Sequence, residues 1–150
     1  MAIIIRDAAF TDIDGMLPLL EQLFAIEADF NFDPEVQARG LRLMLDGCGK
    51  HRSVKVAWED DRIIGMCTAQ IRISTAQGKL SAVVEDLVVD TDFRGLGIGG
   101  RLLGAIEDWA RARGISTLSL LADRNNKTGL DFYAAANWKS TDLVCLTKAL

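Results

Sequence analysis

The chain has 150 residues, of which 49% are apolar and 25% are charged, proportions typical of one soluble globular domain spanning 1–150. No apolar run approaches the roughly 20 residues of a membrane span, and the N-terminus lacks a signal-peptide pattern, so we expect a cytoplasmic protein with no membrane partner. Seventeen basic residues against twenty-one acidic ones give a net charge of −4, which disfavours nonspecific binding to nucleic acid.

Cysteine and histidine usage disfavours metal and triad chemistry. The three cysteines, Cys48, Cys67 and Cys145, are odd in number and far apart, which favours reduced thiols over a disulfide framework or a zinc site. His51 is the single histidine, which also disfavours a serine-histidine triad. The sequence therefore predicts no metal site.

The first third of the chain predicts a strand followed by two helices. Residues 2–6 are typical of a strand, and Thr11 is expected to cap a helix whose apolar stripe contains Ile13, Met16, Leu17, Leu20, Leu23 and Phe24. Pro18 lies beyond the first turn and is expected to bend this helix. Asp33-Pro34 is a cap and first-turn pair for a second helix, which is expected to end at Gly47.

Acidic and aromatic residues in this region raise the question of an amine site. Phe30 and Phe32 lie in the loop between the two helices, where aromatic side chains either cover the core or line an acceptor pocket. The acidic residues could attract an amine, although a solvated helix surface is the simpler interpretation. They are Asp12, Asp14, Glu21, Glu27, Asp29, Asp33 and Glu35.

The remaining elements predict a sheet with further helices. Three strands are expected to form an antiparallel meander, at 54–58, 62–74 and 82–89. The period then becomes helical, and the later elements are a helix from Ile98 to Gly114, a strand at 116–121, a helix at 127–136 and a last strand at 143–147.

The third strand of the meander contains two adjacent carboxylates, Glu85 and Asp86, between apolar triplets. Adjacent side chains on a strand point to opposite faces, so at least one carboxylate is expected to face the interior or a cleft. A buried carboxylate needs a partner or takes part in proton transfer. A structural hydrogen bond to a neighbouring loop is the alternative for either residue.

A glycine-rich run, Arg94-Gly95-Leu96-Gly97-Ile98-Gly99-Gly100, separates this strand from the next helix. Glycines let the backbone curl with its N–H groups inward, and the helix start adds unpaired N–H groups and about half a positive charge. Arg94 adds a permanent cation that can grip phosphate oxygens in a fork. The run predicts a site for a diphosphate-bearing cofactor.

The same run also fits a dinucleotide pattern, Gly95-x-Gly97-x-x-Gly100. Residues 90–94 intervene between the strand and the glycines, and the chain that follows is too short for the second half of a dinucleotide fold. This alternative is therefore less favoured. A P-loop is excluded because no Lys-Ser/Thr pair follows the last glycine.

These motifs resemble the GNAT superfamily of N-acetyltransferases. Arg94, Gly97 and Gly99 match the family's loop for the acetyl-CoA pyrophosphate, Q/R-x-x-G-x-G/A, and Asn126 lies seven residues before Tyr133, as in the family. Within the superfamily, the Glu85-Asp86 pair and the segment leading to the loop are similar to the diamine acetyltransferases. The Asn137-Trp138 pair replaces the common Gly-Phe, and Asn tolerates the left-handed backbone that Gly supplies there.

The resemblance implies an α/β fold of the α+β kind, with a mixed, mostly antiparallel central sheet of six to seven strands and about four helices on both faces. It also implies acetyl-CoA as co-substrate and no metal. The residues that would bind acetyl-CoA are Leu87, Val88, Val89, Arg94, Gly95, Leu96, Gly97, Ile98, Gly99, Gly100 and Asn126.

The resemblance further implies direct acetyl transfer to a primary amine of a small molecule or peptide. Glu85, directly or through a water, would be the general base, and Tyr133 would protonate the leaving CoA sulfur. Phe30, Phe32 and Asp86 are expected to contact the acceptor. The acceptor stays open, a homodimer is compatible with the family, and a non-catalytic acyl-CoA sensor or interaction module is the alternative function.

Overall fold

The computed structural model describes residues 2–27, 29–47 and 49–150. Cys48, interpreted above as a reduced thiol, lies outside these residues. The chain divides into two compact units, residues Met1–Leu120 and Leu121–Leu150. Across the described ranges, no helix combines the length and the apolar character needed to cross a membrane.

The first unit consists of a sheet and three helices. Its strands are β1 (Ile4–Asp7), β2 (Arg52–Glu59), β3 (Arg62–Ser74), β4 (Lys79–Val89) and β5 (Leu118–Leu120). Its helices are α1 (Ile13–Ile26), α2 (Pro34–Leu45) and α3 (Ile98–Ala112). The second unit contains α4 (Lys127–Ala135).

The sheet has the order β1-β2-β3-β4-β5. The first three pairings are antiparallel, as the predicted meander requires, and β4 pairs with β5 in parallel. The ladder between β4 and β5 joins residues 82–84 to 118–120, so β4 extends past it from Glu85 onward. This mixed, mostly antiparallel sheet disfavours the dinucleotide alternative, whose fold needs a mostly parallel sheet.

Helices cover both faces of the sheet. On one face, α1 and α2 close over an apolar cluster that includes Met16, Leu41, Val54, Met66 and Val88. On the other face, α3 packs so closely on β3 that a Cβ atom at Gly65 would lie 3.0 Å from the Leu102 side chain. Glycine at this position therefore permits the close approach of α3 to the sheet.

Local capping explains where the first helices begin. The Asp33 side chain accepts a hydrogen bond from the Glu35 N–H (3.1 Å) at the start of α2, with Pro34 in the first position, as predicted. The prediction that Thr11 caps α1 is wrong. Thr11 lies in a short 3-10 turn, Phe10–Asp12, and the residue that precedes α1 is Asp12. The helix then continues through Pro18.

Asp12 instead ties β1 to the start of α1. Its two carboxylate oxygens accept hydrogen bonds from the Arg6 guanidinium at 2.8 and 3.0 Å, and one of them also accepts from the Ala9 N–H at 2.7 Å. The Arg6 bonds lower the pKa of Asp12, and the Ala9 bond adds to this effect. A buried member of the acid-rich third of the chain thus has a structural role.

Asp12→Asn is expected to destabilise the protein by about 1.5–3 kcal/mol at pH 7, the range for a hydrogen bond to a charged group. A lowered folded pKa contributes stability above the unfolded pKa of roughly 4, and this contribution is lost as the pH falls through the folded value. Urea unfolding at pH 7 and pH 3 should therefore show a smaller difference from the parent at pH 3. Asp14→Asn, at an exposed position, is the control. An equal loss for Asp12→Asn at both pH values would contradict this account.

The predicted last strand at 143–147 is wrong, as is the predicted count of six to seven strands. The described residues form five strands, and residues 143–147 belong to none of them. A β-branched, apolar sequence forms a strand only where a partner strand satisfies its backbone groups, so composition alone does not establish one.

Candidate active site

The backbone between β4 and α3 turns through two glycines with left-handed conformations. Gly95 has φ +78° and Gly97 has φ +77°, values that L side chains rarely adopt. Gly97 is the residue that precedes α3. Leu96, between the two glycines, is exposed, whereas Ile98, the first residue of α3, is buried. The curled loop that the glycine pattern predicted is therefore present.

The start of α3 carries N–H groups that its own helix does not use. The first helical bond runs from the Arg101 N–H to the Gly97 carbonyl (3.1 Å), so the N–H groups of Ile98, Gly99 and Gly100 precede it. Gly97 has no side chain with which to cap them, and the first turn contains no acidic residue. This end of α3 therefore keeps its partial positive charge for an anion.

The space in front of this loop is open. A Cβ atom added at Gly95, Gly97 or Gly100 would meet no atom within 4 Å. Open space therefore lies beside the backbone at these three positions. A glycine-rich loop with unused N–H donors and open space beside it fits a diphosphate group.

Arg94 is anchored beside the loop. Its Nε–H donates to the Val89 carbonyl at 3.0 Å, which holds the guanidinium at the end of β4. In the described parts of the chain, the two Nη groups of Arg94 have no hydrogen-bond partner. They remain available as a fork for phosphate oxygens.

The end of β4 offers backbone groups on one side. Val88 and Val89 pair with Met66 and Gly65 of β3, whereas the described part of β5 ends its ladder at the level of Val84. The segment from Leu87 to Val89 thus has one edge without a strand partner in the described residues. Such an edge can hydrogen-bond to an extended ligand as an added strand would.

The two adjacent carboxylates lie at a bulge in β4. Met66 pairs with Val88 and Thr68 pairs with Glu85, so Asp86 and Leu87 together face Cys67. Asp86 has φ +53°, an unusual value for a residue other than glycine. The extra residue changes the face of the sheet to which the following β4 side chains point. It lies just beyond the residues of β4 that pair with β5.

The bulge gives the two carboxylates different environments. Glu85 is exposed, whereas Asp86 is half-buried with its Oδ2 atom 3.3 Å from the Thr68 hydroxyl. Burial, followed by the nearby Glu85 charge, raises the pKa of Asp86 to about 6. The inward carboxylate expected from the sequence is therefore Asp86.

Asp86→Asn is expected to stabilise the fold by up to about 3 kcal/mol at pH 8, because Asp86 must ionise there in a place that disfavours its charge. A carboxyl group whose pKa is raised on folding loses stability as the pH rises from roughly 4 to about 6. Asn also tolerates the left-handed backbone. Denaturant unfolding at pH 4 and pH 8 measures the effect, with the exposed Asp92→Asn as control. A gain that is no larger at pH 8 than at pH 4 would contradict this assignment.

Cys67 is a buried thiol beside this bulge. It is 0% exposed, and burial together with the Asp86 charge raises the pKa of the thiol far above its ordinary value. The thiolate is the nucleophilic form, so Cys67 is a poor candidate for an acetyl-enzyme intermediate.

The loop between α1 and α2 holds the expected aromatic residues. Phe30 is 54% exposed and its ring lies 5.4 Å from that of Phe24, whereas Phe32 is partly buried. Thr68 pairs with Val54, a member of the cluster under α1 and α2, so the Thr68–Asp86 contact lies on that face of the sheet. The expected acceptor residues and Asp86 therefore belong to the α1–α2 side.

The second unit holds the two remaining candidates. Asn126 precedes α4, and its Oδ1 atom accepts a hydrogen bond from the Gly129 N–H at 3.1 Å. Tyr133 lies within α4, with its ring 5.3 Å from that of Phe132 and 5.9 Å from that of Trp138. Asn137 has φ +70°, as expected from its position in place of a common glycine.

A cavity of about 360 Å³ lies elsewhere in the first unit, between the start of α1 and the turn from β2 to β3. It contains none of the predicted site residues. Charged side chains of its wall already take part in ion pairs. Asp12 pairs with Arg6, and Arg62 pairs with Asp90. The cavity therefore offers a weaker site for a charged ligand than the glycine loop.

A curated relative, an uncharacterized N-acetyltransferase of Methanocaldococcus jannaschii, is 31% identical over 72 residues. The alignment covers 48% of this chain and 32% of the relative, so it spans about a third of the relative's length.

Solved structures share the fold over nearly the whole chain. A transcriptional regulator from Bacillus halodurans C-125 has a TM-score of 0.85 at 23% identity, covering 99% of this chain and 100% of that one. Glucosamine-6-phosphate N-acetyltransferase from Arabidopsis thaliana has a TM-score of 0.79 at 19% identity, covering 99% of both chains. An aminoglycoside N-acetyltransferase in complex with CoA has a TM-score of 0.84 at 19% identity, covering 99% of this chain and 95% of that one.

A sequence profile of the acetyltransferase (GNAT) family matches residues 19–138, a segment that includes β4, the glycine loop and α4. The mixed sheet with helices on both faces agrees with this match, and so do the acetyltransferases among the structural neighbours. The chain belongs to the acetyltransferase (GNAT) family.

Proposed function

We propose that this protein transfers an acetyl group from acetyl-CoA to a primary amine. The observation that carries the proposal is the corner between β4 and α3, where left-handed glycines, unused helix N–H groups and an anchored arginine surround open space. Acetyl-CoA supplies the activated acetyl thioester. The CoA complex of an aminoglycoside N-acetyltransferase with the same fold supports this choice of co-substrate.

The chain would hold acetyl-CoA at three places. The loop from Arg94 to Gly100 would bind the diphosphate, and the backbone of Leu87, Val88 and Val89 would bind the pantetheine arm along the open edge of β4. Asn126 is proposed as a further residue that contacts acetyl-CoA. One β4 N–H directed at the developing oxyanion contributes about 2.7–4 kcal/mol to the transition state.

Two side chains would move protons during a direct transfer. The amine nitrogen attacks the carbonyl carbon, a C–N bond forms and the C–S bond breaks. Glu85, directly or through a water, would accept the amine proton, and Tyr133 would donate its phenolic proton to the departing sulfur. The exposed position of Glu85 and the burial of Cys67 both support transfer without an acetyl-enzyme intermediate.

The acceptor would be a small-molecule or peptide amine that approaches from the α1–α2 side. Phe30 and Phe32 would contact its apolar part and Asp86 its charged nitrogen. The net charge of −4 favours a cationic acceptor through long-range attraction. The names of the structural neighbours, which include enzymes for aminoglycosides and for glucosamine 6-phosphate, support an amine in a coarse way.

A panel of amines tests the proposal. Each amine is mixed with protein and acetyl-CoA, release of the CoA thiol is followed by its colour reaction, and the product mass is measured. We expect thiol release that depends on one class of cationic amine, with a product heavier by one acetyl group. Binding of acetyl-CoA without thiol release from any amine would favour the sensor alternative. Binding of NAD in place of acetyl-CoA would contradict the proposal.

A further inference from the structure

Thr68 lies beneath the bulge of β4 and contacts two groups there. Its hydroxyl oxygen is 3.1 Å from the Glu85 carbonyl oxygen and 3.3 Å from the Asp86 carboxylate oxygen. The side chain is 1% exposed, so no bulk water replaces either contact. A buried threonine thus connects the residue proposed as general base with its neighbouring carboxylate.

The hydroxyl group of Thr68 has one proton for two acceptors. When Asp86 is ionised, that proton can satisfy either the Asp86 carboxylate or the Glu85 carbonyl. When Asp86 is protonated, its own O–H can donate to Thr68, and Thr68 can donate to the Glu85 carbonyl. The hydrogen bonding of the bulge therefore depends on the protonation state of Asp86.

Asp86 interacts with two titratable neighbours on the sheet, the Glu85 carboxylate on β4 and the Cys67 thiol on β3. The Thr68 hydroxyl lowers the pKa of Asp86, against the larger effects of burial and of Glu85.

We propose that Thr68 is a positioning residue of the acyl-transfer site, which holds the Asp86 carboxylate in its ionised form at the bulge and thereby sets the pH range in which the acceptor amine is bound. The same contacts lie beside the left-handed backbone of Asp86, a conformation that is uncommon for a residue other than glycine. The effect on amine turnover rests on the proposed function, whereas the link between Thr68 and Asp86 does not.

The first test needs no substrate. The carboxyl carbon of Asp86 is titrated by NMR in the parent, in Thr68→Val and in Thr68→Ser. We expect the midpoint in Thr68→Val to rise by about one pH unit, the scale of a hydrogen bond to a charged group, and the midpoint in Thr68→Ser to stay near that of the parent. Thr117→Val is the matched control because Thr117 is exposed and bonds to Gln77.

Two results of this titration would overturn the proposal. An unchanged midpoint in Thr68→Val would remove the link to Asp86. Equal shifts in the valine and serine variants would mean that packing, and not the hydroxyl group, is responsible.

The second test uses turnover of the amine found in the panel. In a plot of kcat/KM against pH, the midpoint of the acid limb should move to higher pH in Thr68→Val by the same amount as the NMR midpoint. The affinity for acetyl-CoA should stay unchanged. An NMR shift without a shift of the acid limb would overturn the role in amine binding.

If Thr68→Val does not fold, Asp86→Asn should abolish the acid limb near pH 6, and persistence of that limb would overturn the proposal. Absence of turnover in the parent would contradict the proposed function, while the NMR titration would still decide the Thr68–Asp86 link.

Discussion

The double variant Arg94→Ala/Gly97→Val is expected to lose acetyl-CoA affinity by roughly 100-fold or more. Arg94 supplies charge-assisted hydrogen bonds to phosphate, each of about 1.5–3 kcal/mol. Gly97 has φ +77°, and a β-branched side chain there both strains the backbone and projects into the open side of the loop. Isothermal titration calorimetry with acetyl-CoA measures the loss.

Two controls and one further loop variant separate binding from folding in this experiment. Arg111→Ala removes an arginine from the far end of α3, where it pairs with Asp108. Gly104→Val adds a β-branched side chain within α3 at a position with no neighbour within 4 Å. Gly97→Asn keeps a residue that tolerates a positive φ but still fills the space, and it should weaken binding as well. Unchanged affinity in the double variant would contradict a diphosphate site at this loop.

Tyr133→Phe and Glu85→Gln are each expected to slow amine acetylation by about 10²–10⁴-fold while acetyl-CoA affinity stays nearly the same. The phenol would no longer protonate the leaving sulfur, and the amide would no longer accept the amine proton. Steady-state rates with the acceptor, together with calorimetry on acetyl-CoA, separate the two quantities.

Matched substitutions at positions outside the proposed machinery control for these losses. Glu21→Gln changes an exposed carboxylate on α1, and Phe132→Leu changes the aromatic neighbour of Tyr133 without touching a titratable group. Parent-like turnover in Tyr133→Phe would remove the proposed acid. A restored rate at high pH in Glu85→Gln would agree with a base role, because a free amine then needs no base.

Strong local patterns made most of the fold predictable from the sequence. The strand at Arg62–Ser74 has the predicted bounds, and α3 begins at the predicted Ile98, because apolar periodicity and glycine punctuation agree there. The cap of α1 was misplaced because the Asp12 carboxylate accepts a hydrogen bond from the Ala9 N–H while it pairs with Arg6. An ion pair between a strand and the turn that follows it leaves no periodic sequence signal.

The C-terminal segment shows where a sequence pattern alone fails to predict a strand. Residues 143–147 have the composition of a strand, but strand formation also depends on a neighbouring edge that the sequence does not reveal. The strand predicted at 116–121 likewise has six residues, whereas β5 has three, because only three residue pairs form the ladder with β4.

The candidate site was predictable where backbone chemistry dominates. Gly95 and Gly97 were recognised because positive φ values favour glycine. Thr68 was missed, because its role depends on the register of β3 against a bulge in β4, and nothing around Thr68 in the sequence marks that register. The adjacent carboxylates were a partial signal, and only the bulge shows that Asp86 is the inward one.

The most direct test of the central claim is an NMR titration of the backbone amides with acetyl-CoA. The claim is that the N–H groups between β4 and α3 receive the diphosphate. We expect the largest shifts at Gly95, Gly97, Ile98, Gly99 and Gly100, with smaller shifts along Leu87 to Val89. Saturating acetyl-CoA that leaves the loop amides unmoved, or shifts that cluster around the cavity at Trp58 and Arg62, would contradict it.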